Sequence, residues 1–234
     1  MNKLLFITGG SKGIGRATVE TFLNNGYQVV NFSRSALDLE GVTQIAVDMS
    51  RLDWVGTCAD QVAELAGDAD AICVIHNAAV LCKDSIRDLE AERLQQVLQL
   101  NVVAALQLNQ LLLPAMKGGS SIIYVGSTLS EKAVAGSCSY VTSKHAVVGL
   151  MRATAQDLAG SGIHTACVCP GFTDTEMLRE HLGHDQTILD AIAGGVTQGR
   201  LIQPQEIADT LWFASQNPVI NGAVLHANLG QIEH

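Results

Sequence analysis

The stretch "TGGSKGIG", residues 8–15, begins at the last residue of the apolar run "KLLFIT" and leads into the helical pattern "IGRATVETFLNN". Its spaced glycines, Gly9, Gly13 and Gly15, allow a tight turn and a close approach of the backbone to a ligand. The helix that starts here offers unpaired N–H groups to an anion such as a pyrophosphate. Glycines alone are a weak signal, because any tight turn from a strand to a helix favours glycine. The position of this turn directly after the first strand is what indicates a dinucleotide-binding βαβ unit.

Six more apolar runs of strand length alternate with helical patterns, one of which extends from about Asp88 to Met116. Strands that are apolar on both faces and alternate with helices predict a parallel sheet covered on both sides. No linker or repeat interrupts the pattern, so we predict a single α/β domain over residues 1–234, with a Rossmann-type doubly wound sheet of about seven parallel strands. The six runs are "YQVVNF" (27–32), "TQIAVD" (43–48), "AICVIHNA" (71–78), "SSIIYVGS" (120–127), "IHTACVCP" (163–170) and "GAVLHAN" (222–228).

The charge of the chain is unevenly distributed. The 234 residues carry a net charge of −9, which argues against a nucleic-acid partner. The first 34 residues carry +3, so the remaining 200 carry −12. A locally basic start on an acidic protein indicates an anionic ligand near the N-terminus. The charged share of 16% is low for a soluble domain and fits buried helices or a buried subunit interface.

Membrane and metal functions are not expected from this sequence. No apolar run is expected to reach membrane-spanning length, and the first apolar stretch is too short for a signal peptide, so we expect a cytoplasmic protein with no membrane partner. The six cysteines form no C-x-x-C pair. Cys167 and Cys169, two apart on a strand, share one face and favour reduced core thiols. His181 and His184 have no nearby cysteine to complete a zinc set, so we expect a solvated loop there and no metal.

The stretch "SYVTSK", residues 139–144, places Tyr140 and Lys144 four positions apart in a helical pattern. Residues at this spacing lie on one face of a helix. A nearby ammonium stabilises the phenolate form of a tyrosine, and a side chain that titrates closer to working pH transfers protons more efficiently. An incidental surface pair is the alternative. Because Tyr140 and Lys144 have the spacing for this effect on one helix face, we favour a proton donor.

Five motifs occur in an order that resembles the short-chain dehydrogenases/reductases. They are "TGGSKGIG", "HNAA", "LNVVAA", a serine 13 positions before Tyr-x3-Lys, and "PGFTDTEM". The resemblance covers nearly the whole chain, and the length suits the compact branch of that family. The Tyr-x3-Lys spacing separates the chain from divergent enoyl reductases. The extended epimerase and dehydratase branch has a longer substrate region.

The resemblance implies four catalytic residues. Tyr140 protonates the carbonyl oxygen as hydride arrives, or removes the alcohol proton in the reverse direction, and Lys144 also binds the nicotinamide ribose. Ser127 orients the substrate oxygen, although a helix or turn cap is the alternative for this serine. Asn101 is a poor helix former within a helical pattern. In the family this asparagine marks a local kink and a bound water in a proton relay through the lysine.

The resemblance also implies a nicotinamide cofactor, and the second strand favours NADP(H) over NAD(H). Ser33 stands where a carboxylate for the ribose 2′-hydroxyl is expected, and Arg34 follows it, which suits a 2′-phosphate. Lys12 can approach the same phosphate, and two solvated surface bases are the alternative. Asp48 resembles the family's adenine-contacting aspartate, with a turn-forming aspartate as the alternative. The implied cofactor residues are Gly9, Ser11, Lys12, Gly13, Ile14, Gly15, Arg34, Asp48, Asn77, Ala78, Tyr140, Lys144, Pro170, Gly171, Thr173 and Thr175.

The remaining expectations concern substrate and assembly. A polar segment rich in histidine and glycine, at about residues 178–199, is expected to form a substrate lid. The function predicted is reduction of a small-molecule carbonyl, or oxidation of an alcohol, by an NADP(H)-dependent enzyme. An NAD(H)-dependent alcohol dehydrogenase and a non-catalytic dinucleotide-sensing module are the alternatives. Apolar helices and low charge favour a homotetramer or homodimer. No pattern identifies the substrate.

Overall fold

The computed structural model describes residues 2–232, so Met1, Glu233 and His234 lie outside the described residues. Its strands form one parallel sheet of seven with the order β3-β2-β1-β4-β5-β6-β7. The order reverses between β1 and β4, which opens a crevice at the carboxyl ends of these strands. The strands are β1 (Lys3–Thr8), β2 (Gln28–Ser33), β3 (Val42–Ala46), β4 (Ala71–His76), β5 (Ser121–Val125), β6 (His164–Pro170) and β7 (Val224–Ala227).

Helices cover both faces of the sheet, as the alternating pattern predicts. One hydrophobic core lies between the sheet and the helices α2, α4 and α5, and the other lies between the sheet and α1 and α8. The Rossmann-type doubly wound fold is therefore confirmed. The helices are α1 (Gly13–Asn24), α2 (Ala59–Gly67), α3 (Ala91–Leu98), α4 (Ala104–Leu112), α5 (Cys138–Asp157), α6 (Glu176–His181), α7 (Gln186–Gly194) and α8 (Pro204–Gln216).

The element bounds differ from the sequence patterns in three places. Strand β3 ends at Ala46, so Asp48 lies two residues beyond the strand rather than at its end. The long helical pattern divides into α3, a π-helical segment at Gln99–Val103, and α4. Helices α2 and α8 have no counterpart among the predicted elements. Helix α8 nevertheless begins with proline at its first position and a capping box between Gln203 and Glu206, which are ordinary helix-start signals.

One helical stretch of the described residues, Ala91–Ala115, is long and apolar enough to span a membrane when judged by length and composition alone. The expectation that no apolar run has this length is wrong for these 25 residues. However, 44% of its most apolar window is buried within the protein, and Leu108 and Leu112 belong to the hydrophobic core. This stretch is a core helix of the fold.

The pair of cysteines on β6 lies as the strand spacing predicts. The Sγ atoms of Cys167 and Cys169 are 3.8 Å apart on one face of the strand, and both side chains are fully buried. All six cysteines of the chain are free thiols. Burial raises the pKa of Cys73 to about 12, so this thiol stays protonated at neutral pH. The four buried cysteines, Cys58, Cys73, Cys167 and Cys169, act as core residues.

Candidate active site

The glycine turn between β1 and α1 needs glycine at several positions. Gly9 has a φ of +70° and Gly13 a φ of +52°, a region that side chains disfavour. A Cβ atom on Gly15 would lie 2.1 Å from the carbonyl oxygen of Gly9. A Cβ on Gly13 would lie 3.1 Å from the methyl group of Thr175. The turn is therefore a closely packed cradle that only glycine fits.

The end of β4 holds this cradle in place. The hydroxyl of Thr8 accepts hydrogen bonds of 3.0 Å from the amides of both Asn77 and Ala78. The side-chain amide of Asn77 donates to the carbonyl oxygens of Thr8 and Gly9, at 3.2 and 2.9 Å. Asn77 thus fixes the two strand ends that border the crevice. Thr8, which the sequence reading did not select, is part of the same brace.

A second brace comes from Asn31, in the middle of β2. Its Oδ1 accepts a hydrogen bond of 2.8 Å from the amide of Gly10, and its side chain is fully buried. Its Nδ2 donates to Ser33 and to Gln44, at 3.1 and 2.8 Å. The sequence reading missed Asn31, although a single asparagine within an apolar strand was a signal, because a buried amide needs partners.

The start of helix α1 is suited to an anion. The residue preceding it, Lys12, makes no side-chain capping bond, and the first turn contains no acidic side chain. Its first N–H groups therefore face the crevice with the positive end of the helix dipole. This arrangement, together with the glycine cradle, fits the pyrophosphate of a dinucleotide.

Two basic side chains lie near the cradle. The Nζ atom of Lys12 is 2.7 Å from Oε2 of Glu176, and the hydrogen bond between them raises the pKa of Lys12. Lys12 is thus paired with helix α6 rather than free. The pKa of the Asp48 carboxyl is lowered, chiefly by hydrogen bonds from the hydroxyl and the amide of Ser50. Arg34 is exposed, and its positive charge lies close enough to lower this pKa further. Asp48 therefore forms a turn, and its contact with the adenine of a cofactor stays a prediction.

Tyr140 and Lys144 occupy one face of the first turns of α5. The Lys144 side chain is 3% exposed, and its Nζ donates a hydrogen bond of 2.8 Å to the carbonyl oxygen of Val125 at the end of β5. The same Nζ lies 5.5 Å from the centre of the Tyr140 ring. An ammonium has three donors, so two remain after the bond to Val125. A buried cation beside a half-buried phenol is not an incidental surface pair.

Ser127 lies two residues beyond Val125. Its Oγ accepts a hydrogen bond of 3.1 Å from the amide of Leu129, and its amide donates to the hydroxyl of Ser130, so Ser127 caps the short 3-10 turn that follows. This turn packs against α5. Capping uses an acceptor lone pair of the hydroxyl, and the hydroxyl hydrogen can still donate to another oxygen. The cap and the predicted substrate contact are compatible.

Asn101 lies in the π-helical segment, where the resemblance implies a kink. Its Oδ1 accepts from the amide of Val80 at 2.9 Å, and its two amide hydrogens bond to the carbonyl of Val80 and to the hydroxyl of Ser143, at 3.1 and 2.9 Å. Both side-chain hydrogens are therefore used, so the Asn101 side chain has no hydrogen left to donate to a relay. Asn101 joins the loop after β4 to the residue that precedes Lys144.

Comparisons with known proteins identify the family of the chain. The model of the short chain dehydrogenase family matches residues 3–186. The chain belongs to this family. It is therefore an oxidoreductase with a nicotinamide dinucleotide site.

Relatives of this short-chain dehydrogenase include two reductases. A 3-oxoacyl-(acyl-carrier-protein) reductase of Escherichia coli strain K12 is 26% identical over 240 residues, which cover 97% of this chain and 96% of the relative. An acetoacetyl-CoA reductase of Rhizobium meliloti is 27% identical over 240 residues, 99% of each chain. Among solved structures, a short chain dehydrogenase family protein from Francisella tularensis superposes with a TM-score of 0.90 at 28% identity over 98% of each chain.

The end of β6 brings the last predicted residues of the candidate site to the crevice. Gly171 packs so closely on Asn228 that a Cβ atom would lie 2.9 Å from its Cα, and the chain turns after Pro170. Thr175 caps α6 by accepting from the amide of Leu178 at 3.3 Å. Its methyl group faces Gly13. Thr175 therefore lies at the cofactor cradle.

Thr173 is placed differently from Thr175. Its side chain is buried, and its hydroxyl donates back to the carbonyl of Gly171 at 3.1 Å. This bond occupies the hydroxyl hydrogen, so the hydroxyl oxygen of Thr173 is left with acceptor lone pairs for its predicted contact with the cofactor. Within residues 2–232, no three His, Cys, Asp or Glu side chains are arranged to hold a metal ion.

Proposed function

We propose that this protein is an NADP(H)-dependent oxidoreductase that interconverts a carbonyl and an alcohol, with Tyr140 as the general acid and base. The observation that carries the proposal is the buried Lys144 ammonium, held by Val125 and 5.5 Å from the Tyr140 ring. Bound NADP(H) supplies or accepts the hydride. The glycine cradle and the uncapped start of α1 fit its pyrophosphate.

Residues of the protein transfer the proton, orient the substrate oxygen and stabilise charge. Tyr140 donates a proton to the carbonyl oxygen in reduction and takes it back in oxidation. The Ser127 hydroxyl donates a hydrogen bond to the same oxygen and fixes its place. Lys144 stabilises negative charge on the Tyr140 oxygen, and its free N–H groups bind the ribose. The Asn101 main chain, beside Ser143, connects Lys144 to a relay that restores the proton.

The relatives favour a 3-oxo compound as the first substrate class to test. Both reductases named above act, by their names, on 3-oxoacyl thioesters. Helix α7 and the part of helix α6 that follows Met177, with their loops, fall within residues 178–199, and we propose that this segment forms the lid of the single domain. A homotetramer or homodimer and a cytoplasmic location stay predictions from the sequence.

An activity screen tests the proposal as a whole. The purified protein is offered 3-oxoacyl thioesters, simple ketones, aldehydes and alcohols with each nicotinamide cofactor, and nicotinamide absorbance is followed. Turnover of a carbonyl with NADPH supports the proposal. Tight NADP(H) binding without turnover on any class would instead support the dinucleotide-sensing module.

The proposed preference for NADP(H) rests on two residues at the end of β2, Ser33 and Arg34. The Ser33 hydroxyl donates to the carbonyl of Ser35 at 2.7 Å and accepts from Asn31 and Gln44, so it is fully used. No carboxylate stands at this position to bind a ribose 2′-hydroxyl. The exposed guanidinium of Arg34 follows and suits a 2′-phosphate.

Arg34→Ala is expected to lower kcat/KM for NADPH by about 10- to 150-fold, because a hydrogen bond to a charged group contributes about 1.5–3 kcal/mol. The same variant is expected to leave kcat/KM for NADH nearly unchanged. Steady-state kinetics with each cofactor measures both effects.

Arg51→Ala is the matched control, because Arg51 is also exposed and also near Asp48 but pairs with Asp53 at 3.0 Å. It is expected to retain wild-type kinetics with NADPH. A wild type that prefers NADH, or uses both cofactors equally, would contradict the assignment of Arg34.

A further inference from the structure

The loop after β4 runs alongside the segment that leads into α5. Asp84 and Ser137 form a parallel bridge, in which the Asp84 amide donates to the carbonyl of Gly136 and the Asp84 carbonyl accepts from the amide of Cys138, each at 3.2 Å. The backbone of Asp84 is therefore fixed against the first residue of α5. This contact joins segments more than fifty positions apart in the sequence.

The Asp84 carboxylate binds the next residue of α5. Its Oδ1 accepts from the Ser139 amide at 2.9 Å, and its Oδ2 accepts from the Ser139 hydroxyl. Ser139 is fully buried and directly precedes Tyr140. Ser137, at the N-cap position of α5, makes no side-chain capping bond, and the first turn of α5 contains no acidic residue. Asp84 thus supplies the capping carboxylate that α5 lacks in its own sequence.

We propose that Asp84 is a positioning residue for Tyr140, an inference that rests on the proposed function. Tyr140 is the third residue of α5, within the turn where an uncapped helix frays. The rest of α5 is held independently, because Val147, Val148 and Met151 are buried in the core. Loss of the cap therefore loosens the turn that carries the phenol and leaves the fold intact.

The consequence falls on turnover rather than on cofactor affinity. A displacement of a catalytic group by about 1 Å can cost about 100-fold in rate. The glycine cradle is braced by Thr8, Asn31 and Asn77 through hydrogen bonds that do not involve Asp84. Asp84 therefore affects the position of Tyr140 without disturbing the pyrophosphate site.

The test compares three variants of the full chain. Asp84→Ala removes both carboxylate contacts and is expected to lower kcat by about 10- to 100-fold, with KM for NADPH within about threefold of the wild type. Asp84→Asn retains an acceptor for the Ser139 amide and is expected to recover kcat to within about fivefold. Asp88→Ala is the matched control, because Asp88 makes the same pair of contacts, to the amide and hydroxyl of Ser85 at 2.7 Å, inside the loop. It is expected to keep wild-type kcat.

Amide hydrogen exchange gives a readout that does not depend on turnover. Exchange of the Ser139, Tyr140 and Val141 amides is expected to accelerate in Asp84→Ala and not in Asp88→Ala. A folded Asp84→Ala that exchanges at the wild-type rate, or keeps more than a third of wild-type kcat, overturns the inference. If the wild type shows no turnover, the proposed function fails, and the exchange data still decide whether Asp84 orders this turn.

Ser139→Ala is the second variant should Asp84→Ala fail to fold. It removes only the hydroxyl contact and retains a good helix former. A kcat lowered about threefold or more, with unchanged KM for NADPH, supports the positioning of Tyr140 by this contact. Unchanged kcat in Ser139→Ala overturns it.

Discussion

Tyr140→Phe is expected to lower kcat by about 10²- to 10⁴-fold, the usual contribution of a positioned general acid or base. The substitution removes the phenolic proton and keeps the ring that packs beside Lys144. Cofactor affinity is expected to stay within a few fold, because the cradle at Gly9–Gly15 is untouched. Steady-state kinetics and a direct titration with NADPH separate the two quantities.

Two variants serve as comparisons for Tyr140→Phe. Tyr27→Phe removes a hydroxyl that accepts a 3.2 Å hydrogen bond from Gln216. Neither residue belongs to the proposed catalytic set, so this variant is expected to leave kcat unchanged. Lys144→Ala is expected to weaken both turnover and cofactor binding, because the ammonium faces the phenol and has donors to spare for the ribose. A Tyr140→Phe enzyme that kept more than a tenth of the wild-type rate would show that the proton donor is another group.

The architecture of the sheet was predictable because it depends on patterns within single segments. Each strand is a short apolar run, and the alternation with helices determines a parallel sheet. Helix α2 escaped notice because it is short and buries little, chiefly Val62 and Ala66. Helix α8 carried start signals at Pro204 and Glu206 that were sufficient to predict it. Its packing against α1 is visible only in three dimensions.

The same difference between local patterns and long-range contacts applies to the candidate site. The spacings within the glycine turn and within "SYVTSK" are local, so sequence alone indicated the cradle and the Tyr140–Lys144 pair. The contacts that hold these parts in place join distant segments. Asn31 reaches Gly10 across 21 positions, Asp84 reaches Ser139 across 55, and Lys12 meets Glu176 on another element. No local pattern specifies such pairs, because they depend on how the chain folds back.

Gly15→Ala is expected to weaken NADP(H) binding by at least about 100-fold. A Cβ atom at this position would lie 2.1 Å from the Gly9 carbonyl oxygen and 2.7 Å from Nδ2 of Asn77. Such an overlap is relieved only if the turn moves away from the start of α1, and this movement displaces the N–H groups that face the pyrophosphate. Loss of two hydrogen bonds to a charged group, at about 1.5–3 kcal/mol each, accounts for the magnitude. Fluorescence titration with NADPH measures the dissociation constant.

Gly67→Ala is the control for this effect, because Gly67 is the last residue of α2 and a Cβ atom there would meet nothing within 4 Å beyond its chain neighbours and its own helix backbone. It is expected to bind NADPH as the wild type does. Gly13→Ala, with a milder contact of 3.1 Å to the Thr175 methyl group and a φ of +52°, provides a second test if Gly15→Ala does not fold. Binding within tenfold of the wild type in both cradle variants would mean that the pyrophosphate does not lie on this turn, since the substitution at Gly15 requires the turn to move and the substitution at Gly13 strains its backbone.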